Sequence, residues 1–160
     1  MTESVSDQFR VRPVDSSHIG DLIRIAEETN LSPWTAQSYL EEIKNPNAVL
    51  LRLESPDNLT VGFVVGRIIL GGLIEAQTDA EIYNIAVIEP LQKRGLGDLL
   101  LSSFLEACRS RNAKNVWLEV RESNAVAIRF YERKGFEHVQ TRNNFYNDPR
   151  ENALLMRLGL

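Results

Sequence analysis

Residues 83–101 constrain this chain more than any other stretch. An apolar run, Tyr83-Asn84-Ile85-Ala86-Val87-Ile88, leads through the polar turn Gln92-Lys93-Arg94-Gly95-Leu96-Gly97 into a helical pattern. From there, small or apolar residues recur at Gly97, Leu100, Leu101, Phe104, Leu105 and Cys108, the spacing of one helical face. Glycines between a strand and a helix let backbone N–H groups approach a ligand with no Cβ in the way. The helix start adds N–H donors and the positive end of its dipole, which suits a phosphate group. The turn is therefore either an anion cradle or simply a tight turn. It is not the dinucleotide fingerprint, because the third position after Gly97 is Leu100. Nor is it a P-loop, since no Gly-Lys-Ser/Thr follows.

The rest of the chain builds a mixed α/β domain around this unit. Phe9-Arg10-Val11-Arg12 alternates as a first strand, behind a polar tail over residues 1–8. Asp15 or Ser16 can cap a helix with Ile19, Leu22, Ile23 and Ala26 on one stripe. A second helix is expected after Ser32, with Pro33 in its first turn, running to Ile43. Residues 48–53 and 60–70 read as a hairpin across Pro56-Asp57-Asn58, and Gly71 opens a looser connection to Asp79. Asn112 stands where the central helix should end in a left-handed residue. A strand over 116–120, a helix over 124–133 stopped by Gly135, and strands over 136–140 and 153–158 complete the order. The expected architecture is one domain over residues 9–160, with a mixed sheet of about seven strands and about four helices.

With 160 residues the chain can bury one substantial core. Its net charge is −4 with the basic residues scattered, so bulk electrostatics argue against a nucleic-acid-binding surface. The single cysteine, Cys108, lies on the apolar helix face and reads as a packed thiol rather than half of a disulfide. His18 and His138 stand apart in sequence, and no metal-ligand spacing or Ser/His/Asp arrangement is present. The longest apolar runs fall far short of the ~20 residues that span a bilayer. The N-terminus carries no secretory signal, so a cytoplasmic protein is expected.

A second constellation lies at Glu119 and Tyr131. In Val116-Trp117-Leu118-Glu119-Val120, alternation sets Trp117 and Glu119 on one face. Glu119 is either a rim residue paired with Arg121, two along on that face, or a carboxylate whose pKa burial raises towards general-base use. Tyr131 falls in the helical row Asn124, Ala127, Ile128, Tyr131, as a core tyrosine or a proton donor. A phenol of pKa about 10 is a chemically reasonable donor to a thiolate whose conjugate acid is near 8.5. Asn124 can cap the helix or bond a ligand.

The turn Gln92–Gly97 matches the Q/R-x-x-G-x-G/A signature, and in this it resembles the GCN5-related N-acetyltransferases (GNAT). Within that family the chain is similar to the ribosomal-protein alanine N-acetyltransferases of the RimI type. The motifs are Asn84-Ile85-Ala86-Val87, Trp117-Leu118-Glu119-Val120-Arg121-x-Ser123-Asn124 and Phe130-Tyr131-Glu132-x-x-Gly135-Phe136. Pro33-Trp34 and Arg142-x-Asn144-Phe145-Tyr146 add to them. The resemblance covers nearly the whole chain. It implies an acetyl-CoA-dependent enzyme acting on a protein N-terminus, the alanine of a small-subunit ribosomal protein, by direct transfer. It further implies Glu119 as proton acceptor and Tyr131 as proton donor. Acetyl-CoA is implied at Ile85, Ala86 and Val87, at Gln92, Lys93, Arg94, Gly95, Leu96, Gly97 and Asp98, and at Asn124. The chain departs from the group at Phe145, where a second tyrosine is common, and at Asn152, within Glu151-Asn152-Ala153. Residues 71–79 are also longer than usual. These departures fall where the acceptor should approach. Two other functions use the same residues: acetylation of a small amine or polyamine, with Glu41, Glu42, Glu75 and Asp79 as loosely placed acids, and non-catalytic sensing of acetyl-CoA.

Overall fold

The computed structural model describes residues 2–71 and 76–160. The middle of the expected 71–79 connection, including Glu75, therefore lies outside the described residues. The chain runs β1 (Arg10–Pro13), α1 (Ile19–Glu28), α2 (Ala36–Lys44), β2 (Ala48–Glu54), β3 (Thr60–Ile69), β4 (Asp79–Val87) and α3 (Leu96–Ser110). It continues through β5 (Asn115–Arg121), α4 (Ala125–Arg133), β6 (Glu137–Asn147) and β7 (Arg150–Gly159). The strands form a seven-stranded mixed sheet in the order β1-β2-β3-β4-β5-β7-β6. The four α-helices and seven strands among the described residues agree with the expected fold class.

The chain divides into two compact units, and the boundary cuts through β3, β4 and α3. The first holds residues 1–67 and 84–107. There β1 and β2 pair antiparallel, as do β2 and β3. Leu100, Leu101, Phe104 and Leu105 of α3 are buried, as the helical spacing predicts, while Gly97 is half-buried and Leu96, outside that spacing, is buried as well. A Cβ on Gly62 would meet the Ala86 carbonyl oxygen at 2.7 Å and the Leu100 side chain at 3.3 Å. That glycine is what lets β3 lie so close to the end of β4. On α1 the buried stripe is Leu22, Ile25 and Ala26; Ile25 takes the place expected for Ile23. The second helix begins later than Ser32 suggests. Thr35 is extended and its hydroxyl accepts the Ser38 N–H at 3.0 Å, so Pro33 and Trp34 precede the helix. A proline pushes the residue before it out of helical geometry, which favours the cap further on.

The second unit holds residues 68–83 and 108–160. Here β4 and β5 pair in parallel over Ala80↔Val116, Glu81↔Trp117 and Ile82↔Leu118. Cys108 is buried at the end of α3, where its thiol is pushed up to about 12 by burial. Asn112 is left-handed, φ +61°, as expected after that helix. The last two strands form a much longer hairpin than expected: β6 reaches Asn147 and β7 begins at Arg150. Among the described residues no helix is long and apolar enough to cross a membrane.

Candidate active site

The glycine turn lies in the first unit. Lys93 and Gly95 both adopt positive φ, +62° and +80°. Gly95 supplies that conformation without steric cost, and nothing stands within 4 Å of where its Cβ would be. Residues 92–95 are exposed, and α3 starts at Leu96, with Leu99 N–H bonding the Gly95 carbonyl at 3.2 Å. Helix geometry leaves the first-turn N–H groups without a carbonyl four residues back. An open, left-handed glycine turn into a 15-residue helix fits a pyrophosphate. The Gln92 side chain points elsewhere, its Nε2 donating to the Val87 carbonyl at 2.8 Å and tying the turn to the end of β4. Leu96 is 1% exposed and serves the core through its side chain. Ala86 and Val87 are buried, Ile85 half-buried, in the part of β4 beyond its parallel pairing with β5.

Glu119 and Tyr131 lie in the second unit. The Glu119 side chain keeps 17% of its exposure, and its Oε1 lies 3.2 Å from Arg142 Nη1 on β6. Burial raises its carboxyl above the usual glutamate range, against the opposing pull of Arg142. Of the two readings of Glu119, the rim pairing with Arg121 is not seen among the described residues. Arg121 instead meets Glu151 at 3.3 Å and donates to the Pro149 carbonyl at 3.1 Å. Its guanidinium also lies over the Tyr146 ring, 4.1 Å from the centroid. Glu151, which accepts the Ser123 N–H, is thus the carboxylate that claims Arg121 and leaves Glu119 to Arg142.

Tyr131 is buried between Phe130 and Phe136, with ring centroids at 5.3 and 5.5 Å. Its phenol is held far above the ordinary tyrosine range, first by burial and then by Tyr146. Tyr146 is raised in turn by burial and by the charge of Glu119. Tyr146 therefore lies within electrostatic reach of both Glu119 and Tyr131. Neither it nor Arg142 was singled out for proton chemistry in the sequence; the available signal was the mixture of charge and aromatics in Arg142-x-Asn144-Phe145-Tyr146. Asn124 caps α4, its Oδ1 accepting the Ala127 N–H at 3.1 Å. Asp79 is buried and accepts from Trp117 Nε1 at 3.0 Å and Asn115 Nδ2 at 3.1 Å.

A parallel β4–β5 pair, a left-handed glycine turn into a long helix, and a half-buried carboxylate near one buried and one half-buried phenol suit acyl transfer from a coenzyme A thioester. Residues 19–136 match the model of the acetyltransferase (GNAT) family, and the chain belongs to that family. It is an acetyl-CoA-dependent N-acetyltransferase. The chain is 31% identical over 139 residues to the [ribosomal protein bS18]-alanine N-acetyltransferase of Salmonella typhimurium, covering 86% of this chain and 88% of that one. It is also 31% identical to the enzyme of that name from Haemophilus ducreyi, covering 87% and 92%. The crystal structure of the ribosomal-protein-S18-alanine N-acetyltransferase from Escherichia coli superposes with a TM-score of 0.81 at 27% identity, covering 94% and 93%.

Proposed function

We propose that this chain is an N-terminal protein acetyltransferase. It transfers acetyl directly to a protein α-amine, that of the N-terminal alanine of a small-subunit ribosomal protein of the bS18 kind. Residues 9–160 are the transferase domain behind a tail of residues 1–8, and the chain works in the cytoplasm. The observation that carries the chemistry is the grouping of Glu119, half-buried with a raised pKa, with the buried phenol of Tyr131 and the half-buried phenol of Tyr146. The names of the bacterial relatives support the acceptor.

Bound acetyl-CoA supplies the activated acetyl thioester. Backbone at Ile85, Ala86 and Val87, the turn from Gln92 to Asp98, and Asn124 hold it, with the first-turn N–H groups of α3 on the pyrophosphate. Glu119 takes a proton from the acceptor ammonium, leaving the amine lone pair free to attack. The Val87 N–H serves the developing oxyanion. Tyr131, kept protonated by burial, gives its proton to the departing thiolate, and the second proton shed by the attacking nitrogen as the amide forms restores the phenol. Glu119 suits an α-amine of pKa about 7.8 better than a lysine near 10.4, whose deprotonation costs about 3.5 kcal/mol more.

Glu119→Gln should lower kcat by about a hundred-fold or more, with the acetyl-CoA Kd by calorimetry essentially unchanged. In the unaltered enzyme, kcat should rise with pH through a limb above the ordinary glutamate range, because Glu119 works only when ionised. That limb should vanish in Glu119→Gln. Tyr131→Phe should slow turnover while leaving the melting temperature close to that of the parent. Undiminished turnover in both variants would refute the assigned roles.

A further inference from the structure

Arg142 reaches Glu119 from two strands away, and the local structure is arranged for that reach. Ala153 on β7 pairs with Arg121 on β5 and with Arg142 on β6. Cross-strand partners share a face, so Arg121, Ala153 and Arg142 form one row, and Glu119, two residues before Arg121, shares their face. Two strand spacings, about 10 Å, separate the Arg142 and β5 backbones. Ala153 is fully buried and contributes only a methyl group, leaving the guanidinium a path across β7.

The backbone carrying Arg142 is specifically shaped. Between the pairs Arg142↔Ala153 and Tyr146↔Glu151, β6 advances four residues while β7 advances two. Two extra residues therefore bulge out of β6 at this point. The bulge is pinned: Asn144, at φ +55°, donates its N–H to Asn152 Oδ1 at 2.9 Å. Asn152 Nδ2 in turn donates to Glu122 Oε2 at 3.1 Å. Meanwhile Arg121, the nearer arginine in sequence, is engaged by Glu151 and by the Pro149 and Asp148 carbonyls. The two arginines thus have separate carboxylates.

We infer that Arg142 is a positioning residue for acetyl transfer: from the pinned bulge it grips Glu119 Oε1 across Ala153, fixing the carboxylate and holding it ionised for proton abstraction. This rests on Glu119 being the base, as proposed above. Burial disfavours the charged carboxylate, and a guanidinium at 3.2 Å offsets that penalty. With Oε1 engaged, Oε2 is the atom left for the acceptor proton. The titratable groups around Glu119 are Arg142 and Tyr146 from β6 and Arg121 on its own strand, paired to Glu151 of β7. Tyr131 on α4 couples through Tyr146. Tyr83 on β4 follows Ile82, the last residue of the parallel pairing with β5. Among these, Arg142 is the cation in direct contact with the Glu119 carboxylate.

The test is the pH dependence of kcat for Arg142→Ala, Arg142→Gln and Arg142→Lys, using an alanine-starting peptide and saturating acetyl-CoA. Removing an opposite charge at this range should move the acid limb up by about one pH unit in the Ala and Gln variants. Activity then falls roughly ten-fold more at the acid end than on the plateau. Arg142→Lys should return the limb most of the way, and the acetyl-CoA Kd should hold in all three. A limb that stays in place, with kcat lowered equally at every pH, would overturn the inference and leave Arg142 a merely structural residue. Glu119→Gln judges the underlying reading separately. If that variant keeps the limb, Glu119 is not the base; if it loses the limb while Arg142→Ala leaves it unmoved, the base stands and the role of Arg142 falls.

Discussion

Asp79→Ala should be among the most destabilising single substitutions in this chain. The Asp79 carboxylate is 1% exposed, and each of its oxygens accepts a hydrogen bond. Oδ2 takes the indole N–H of Trp117, itself 1% exposed, at 3.0 Å. Oδ1 takes the Asn115 amide at 3.1 Å. Removing the carboxylate leaves the indole N–H buried with nothing to accept it, which costs about 2 kcal/mol; the half-exposed Asn115 amide adds about 1 kcal/mol. Relief of the carboxylate's own desolvation offsets part of this, so the net expected loss is about 2–3 kcal/mol. At roughly 2–4 °C per kcal/mol for a chain of this size, Tm should fall by about 4–12 °C. Asp79→Asn keeps one acceptor for the indole and should lose about half as much. Urea unfolding, followed by tryptophan fluorescence, gives the free energy and checks that the m-value is unchanged. An alanine variant within about 0.5 kcal/mol of the parent would refute the reasoning, because a buried indole N–H cannot lose its acceptor that cheaply.

Two further predictions concern the first unit. Tyr39 is fully buried between Trp34 and Phe63, and its hydroxyl has no hydrogen-bond partner among the described residues. Tyr39→Phe should therefore leave stability unchanged or raise it by about 1 kcal/mol, measured by urea unfolding. Gly62→Ala should lower stability by about 1–3 kcal/mol, because the new methyl meets the Ala86 carbonyl at 2.7 Å and backbone must move. The same shift displaces the end of β4, so calorimetry should show a higher acetyl-CoA Kd for the Gly62 variant.

Local periodicity carried most of the fold. The α3 face was legible because a 15-residue helix repeats its apolar positions four times over. Shorter α1 allowed Ile23 and Ile25 to exchange roles, since either fits a stripe of three turns. Thr35 was hidden as a cap because Pro33 suggested an earlier start. The sequence reads as a strand only over 136–140, where the strand runs from 137 to 147, because the two-residue bulge after Arg142 breaks the alternation that marks a strand and its residues are mostly exposed. At the site, Glu119 drew attention as a carboxylate in an apolar strand. Its partner did not, because the contact with Arg142 depends on strand order and on Ala153 being small. Spacing along the chain favours Arg121 instead. Glu151 decides between the two arginines, and that competition exists only in the folded sheet.

The central claim, transfer to a protein α-amine, is tested most directly by mass spectrometry of two peptides incubated with enzyme and acetyl-CoA. One peptide begins with a free alanine; the other is blocked at its N-terminus and carries an internal lysine. The account predicts acetylation of the first at its α-amine and none of the second. Acetylation of the lysine peptide alone would contradict it, leaving the fold and cofactor in place and the acceptor wrong.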